Sequence, residues 1–136
     1  MDVKRLVKVV GDMIGHDCSI IAGDTFMYHW GDNAIEININ EGYLDNLDWK
    51  KFLKKEFNFD LTHENWFSLS VLHELGHHYT LEYFDQEEVR KSQHACVKAN
   101  EHFYEQVEMV ATDWAIAYYN MTDMDAWNKE ITACLQ

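Results

Sequence analysis

His73-Glu74-Leu75-Gly76-His77 sets two imidazoles four residues apart with a carboxylate between them. On a helix, positions i and i+4 lie one above the other on one face. His73 and His77 can therefore offer two ring nitrogens to one metal ion. Glu74 follows His73 by about 100° around the helix. Its carboxylate then stands beside the metal, where it can take a proton from a water molecule. H-E-x-x-H on a helix is the pattern of zinc metallopeptidases. These residues predict a small zinc-dependent peptidase with Glu74 as catalytic base, or a relative that kept the site.

Three fixed letters in five need a helix around them. The segment from Glu64 to Leu72 leads into the motif without proline. Apolar residues at Trp66, Phe67, Leu69, Val71, Leu72, Leu75 and Tyr79 suit a largely buried helix. Thr62 sits where an N-cap would, with Glu64 in the first turn. Gly76 inside a helix costs about 1 kcal/mol relative to alanine, a cost that close approach of another element would explain. Zinc held by two histidines and one glutamate keeps a fourth position for water. The downstream candidates are Glu82, Glu87, Glu88, Glu101, Glu105 and Glu108. Glu82 is too near on the motif helix to fold back. Glu108 is favoured because Ala111 and Ala115 share its face and allow close helix packing; Glu105 is the next choice.

The elements that must position these residues are legible in outline. Lys4–Ile14 has the apolar spacing of a helix. Three strands are predicted at residues 18–22, 25–30 and 34–40, separated by Gly-Asp turn signals. The last alternates with period two, setting Ile35, Ile37 and Ile39 on the core face. Short turns between them suggest an antiparallel meander. Asp48–Phe57 is an amphipathic helix, and the motif helix follows. Asp85 opens an acidic helix start that suits the helix dipole. From there to Tyr119 no glycine or proline intervenes, so a break is expected near Lys98–His102. A last helix covers Asp123–Leu135. The fold class is α+β: a small three-stranded antiparallel sheet packed on the motif helix, with additional C-terminal helices, all in one domain over residues 1–136. Trp30, Trp49, Trp66, Trp114 and Trp127 are expected in the core.

Composition narrows the function classes. A hydrophobic fraction of 47% with 14% aromatics argues against disorder. No stretch of 18 apolar residues occurs, so no transmembrane helix is expected. The N-terminal segment lacks the features of a signal peptide, and a cytoplasmic location is expected. Cys18, Cys96 and Cys134 are odd in number and widely spaced, which favours reduced thiols over a disulfide framework. A formal charge of −13 disfavours direct nucleic-acid binding and leaves room for a basic partner or substrate.

H-E-L-G-H followed by E-x-x-A-[N/T]-x-[F/W]-A resembles the ImmA/IrrE family of small gluzincin-type metallopeptidases, many of them carried by phages and mobile elements. His73, Glu74 and His77 match the first motif. Glu108, Ala111, Thr112, Trp114 and Ala115 match the second. The order of helix, small sheet, motif helix and glutamate helix is also similar. Thr112 stands where the family usually has asparagine. The resemblance implies a zincin-like fold, one Zn2+ held by His73, His77 and Glu108, and proteolysis of a specific protein substrate, such as a repressor or other regulator.

For such an enzyme, Asp113 is a candidate acceptor for a ligand histidine's other ring nitrogen. Tyr79, Tyr104, His102 and Tyr118 are candidate donors to the oxyanion. A substrate strand could add to the edge of Ala34–Asn40. His16, His29, His63, His78 and His94 are read as structural or exposed. A second function class stays open: a non-catalytic zinc-binding module that acts by binding a host or regulatory protein.

Overall fold

The computed structural model describes residues 1–88 and 102–136. The chain opens with helix α1 (Val3–Met13), whose first turn is capped by Asp2: its Oδ1 accepts the N–H of Arg5 at 3.1 Å. Three strands follow, β1 (Ser19–Gly23), β2 (Met27–His29) and β3 (Ala34–Asn38). After a short 3-10 turn come α2 (Leu47–Phe57) and the motif helix α3 (Trp66–Thr80). Two more helices end the chain, α4 (Gln106–Met121) and α5 (Asp125–Leu135). The class is α+β, as the alternation at β3 and the helical spacing elsewhere predict.

The sheet is mixed, which corrects the antiparallel expectation. Its order is β1-β3-β2, with β1 parallel and β2 antiparallel to β3. Only β2 and β3 form a hairpin. Residues 24–26 instead carry the chain across the sheet, so that β3 inserts between its predecessors. Glu36 in the middle of β3 holds that crossing. Its Oε2 accepts the N–H groups of Asp24 at 3.0 Å and Thr25 at 3.2 Å, and its Oε1 pairs with His29 Nε2 at 2.9 Å. The His29 hydrogen bond, with help from the two N–H groups, holds the Glu36 carboxyl below the usual range despite its desolvation. A side chain on Gly23 would occupy the same space as that carboxylate. The turn spacing was readable in the sequence; a long-range clamp built by one strand glutamate was not.

β3 is thus the central strand, with both edges occupied. It cannot accept an added peptide strand as expected; the free edges belong to β1 and β2. Ile35 and Ile37 are fully buried, whereas Ile39 lies just past the strand and is partly covered. The core they enter includes Leu6, Val10, Leu53, Phe67, Leu72 and Ile131. α3 is buried around most of its circumference and packs against α4, α5 and the sheet. Ser68 Oγ donates to Asn128 Oδ1 at 2.6 Å, and Asn128 Nδ2 donates to the Tyr119 hydroxyl at 2.9 Å. That chain of bonds joins α3, α5 and α4 through otherwise costly buried polar groups.

Thr62 fulfils its expected capping role one turn ahead of the regular helix. Its hydroxyl accepts from the N–H groups of Glu64 and Asn65, and Asn65 Oδ1 returns a bond to the Thr62 N–H at 2.7 Å. This reciprocal arrangement satisfies donors that no helical carbonyl can reach. Asp85 likewise accepts from the Glu88 N–H at 2.8 Å, as its acidic helix start suggests. The continuation of that helix, most of the expected break, Cys96 and Glu101 lie outside the described residues. Trp30 departs from the core expectation. It sits at the tip between β2 and β3 and is 45% exposed, because the hairpin turns away from the helices there. Among the described residues, no helix is long and apolar enough to cross a membrane.

Candidate metal centre

α3 and α4 bring the predicted ligands together. The nitrogens of His73 and His77 and a carboxylate oxygen of Glu108 all lie within 4.8 Å of one another. His77 Nε2 approaches Glu108 Oε2 at 2.7 Å, and His73 Nε2 stands 3.5 Å from Glu108 Oε1. Two imidazoles and one carboxylate on facing helices are a donor set that a divalent ion such as zinc accepts. Glu105 is not part of the group. It is the residue that opens α4, with its carboxylate 3.9 Å from His102. Glu82 is exposed on the 3-10 turn after α3.

Small residues make this approach possible. A Cβ on Gly76 would lie 2.5 Å from the Ala111 carbonyl oxygen, and Ala111 and Ala115 are buried where the helices meet. The interior glycine therefore has a structural reason. Because the obstacle is backbone, a side chain at position 76 can be accommodated only by moving a helix. Gly76→Ala is expected to destabilise the fold by about 1–3 kcal/mol, after a helix-propensity gain of about 1 kcal/mol. It should also weaken metal binding by separating the ligand helices. Thermal melts with and without metal check this; an unchanged melting temperature would mean that the helices part freely.

His73 and Glu108 are held from behind. Thr112 Oγ1 lies 3.0 Å from His73 Nδ1 and is buried against it. An Nδ1–H donating to that hydroxyl leaves Nε2 free for a metal. Asp113, the sequence candidate for this role, is exposed on the far side of α4. Helical arithmetic explains the correction. Position i+4 from Glu108 stays near its face, whereas i+5 swings about 140° away. Glu108 is desolvated, which pushes its carboxyl up, but hydrogen bonds from His102, His73 and His77 outweigh that and hold it far below the ordinary range. Burial lowers His77, yet the hydrogen bond and charge of Glu108, with the charge of Glu74, leave it raised.

Glu74 is buried beside the cluster without joining it. Its Oε1 accepts the backbone N–H of Tyr28 at 3.0 Å, and its Oε2 lies 4.0 Å from His73 Nε2. β2 is an edge strand, so this N–H points away from β3 and is available. Tyr28 is fixed from its other end as well. Its hydroxyl lies 2.9 Å from His78 Nδ1 and donates to Asn33 Oδ1 at 3.1 Å. His78 is therefore a structural residue, as expected, and part of what steadies Glu74.

The cluster opens into a cleft of about 330 Å³ lined by Phe26, Trp49 and Phe103, with Glu41, Asp45 and Asp48 on the wall. Burial and the neighbouring Asp45 push the Glu41 carboxyl up. Of the four oxyanion candidates, only His102 lines the cleft. Tyr104 is bonded to Glu56, and Tyr79 and Tyr118 stack on the two sides of Trp114 along the outside of α3 and α4. Two functional contacts escaped the sequence reading: the Tyr28 N–H, which no residue type reveals, and the attachment of His102 to Glu108. Comparison of the chain with protein-family models, curated proteins and solved structures gives no match.

Proposed function

We propose that this chain is a zinc-dependent peptidase with a zincin-like arrangement of motif helix and sheet, cutting a specific protein substrate. The observation that carries the reading is the position of Glu74. A structural metal site has no use for a buried carboxylate held beside its ligands but outside their group. Here one oxygen is fixed by a backbone N–H and the other is left facing the cluster. The open cleft beside His73 supplies room for a peptide.

Zinc bound by His73, His77 and Glu108 would polarise the scissile carbonyl and bring the attacking water toward a pKa of ~7. Glu74 then takes the water proton on Oε2 and delivers it to the leaving amine nitrogen. The Tyr28 N–H keeps the carboxylate from rotating between those two transfers. Thr112 sets the tautomer and orientation of the His73 imidazole. The acidic wall of Glu41, Asp45 and Asp48 favours a basic segment of substrate, and the charge of −13 does so at longer range. A cytoplasmic regulator with an exposed basic segment fits these demands.

The test is to load the protein with zinc and incubate it with proteins recovered on it by pull-down, reading fragments by mass spectrometry. Cleavage abolished by chelation and restored by zinc is the expected result. Tight binding of a partner that is never cut would replace this reading with a non-catalytic binding module.

A further inference from the structure

We propose that His102 is a positioning residue for the metal centre, fixing the orientation in which Glu108 presents its carboxylate to the ion. The inference rests on the metal-binding reading of the cluster and is independent of peptide hydrolysis. Glu108 has two oxygens with different surroundings. Oε2 faces His77 Nε2 at 2.7 Å, while Oε1 receives His102 Nε2 at 3.0 Å and lies 3.5 Å from His73 Nε2, a nitrogen that a bound ion would engage. The last torsion of a glutamate is broad and roughly two-fold. A ligand glutamate with only one oxygen engaged would rotate and weaken its hold. A donor on the second oxygen removes that freedom, and hydrogen-bonded carboxylates of this kind contribute substantially to metal affinity.

The chain geometry suits the task. His102 stands immediately before the turn 103–105 that opens α4, and its ring folds back over the first turn to reach position 108. Its other nitrogen supports the assignment. Nδ1 is buried without a hydrogen-bond partner among the described residues, and the nearest carboxylate, Glu105 Oε1, is 3.9 Å away. Leaving a buried polar atom unpaired is unfavourable. The ring is thus oriented for the benefit of Nε2 at the expense of Nδ1. With Nε2–H committed to Glu108, His102 acts through the ligand instead of on the substrate oxyanion.

The experiment measures zinc affinity by competition with a chromophoric chelator, together with the visible spectrum of the cobalt(II)-substituted protein. Wild type is compared with His102→Ala, His102→Asn and His102→Gln. Alanine has no donor, asparagine is too short to reach, and glutamine can restore an N–H to Oε1. Circular dichroism identifies the variants that fold; His102→Asn stands in if His102→Ala does not. The expected result is a loss of about 10–100-fold in affinity for alanine and asparagine, near-complete rescue by glutamine, and a cobalt spectrum that keeps its donor number throughout. Affinity unchanged in both short variants would overturn the proposal. So would a cobalt spectrum that loses a nitrogen donor, because His102 would then be a ligand. Absence of metal binding by wild type would overturn it together with the metal reading. Metal bound normally without any proteolysis would remove only the peptidase reading and leave this one standing.

Discussion

Glu74→Gln is expected to retain the fold and the metal while losing peptide hydrolysis by ~10²–10⁴-fold. Glutamine is nearly isosteric, and its carbonyl oxygen can still accept the Tyr28 N–H that now binds Glu74 Oε1 at 3.0 Å. An amide cannot take a proton from water at neutral pH, so only the chemical step suffers. Glu74→Ala is the poorer test. It would strand the buried Tyr28 N–H, at a cost of about 1–3 kcal/mol, and would confuse instability with loss of the base. The comparison needs equal zinc content in both proteins and fragment yields from a substrate captured by the wild type. Equal yields would mean that Glu74 is not the base.

Wild-type protein is expected to carry close to one equivalent of zinc by elemental analysis, and His73→Ala and His77→Ala to carry almost none. Both nitrogens converge on Glu108, and two remaining donors would make a poor site. Glu108→Ala should lose the ion as well, with a further penalty. His73, His77 and His102 would be left around a space from which their shared acceptor has gone. Metal retained in Glu108→Ala but lost in Glu105→Ala would reverse the ligand assignment. The pH dependence has a definite sign. Glu108 and Glu74 raise the His77 pKa in the metal-free protein against the opposing effect of burial. Zinc must displace that proton, so apparent affinity should fall as the pH drops through the raised value. An affinity independent of pH across the histidine range would show that His77 is not a ligand.

The sequence resolved some of this molecule and not the rest, for reasons that differ by residue. His73, Glu74 and His77 were legible because helical periodicity fixes their mutual geometry within a few residues. Gly76 and Ala111 were legible as a pair once small residues are read as permission for helices to approach. Glu108 was a favoured choice among several glutamates, since choosing a ligand across 31 residues of chain depends on how two helices dock. The sheet order was misread because turn signals report that the chain reverses, not which strand it returns beside. Glu36 decides that through three hydrogen bonds to residues 7–12 positions away. Asp113 is the acceptor expected from the sequence, five residues past Glu108, and the angle around α4 gives that place to Thr112 instead. The Tyr28 N–H is invisible in any sequence, because every residue except proline carries one.

The bond from Tyr28 to Glu74 also bears on how the folded chain keeps to itself. An outer strand with free N–H groups invites pairing with a neighbouring molecule, the common first step of sheet-based aggregation. β2 is only three residues long, and its outward N–H at the middle residue is already taken by a side chain from beneath. The hydrogen bond that steadies Glu74 therefore also removes a docking point for a stray strand. Selection for an ordered Glu74 and selection for a quiet sheet edge would act on the same hydrogen bond.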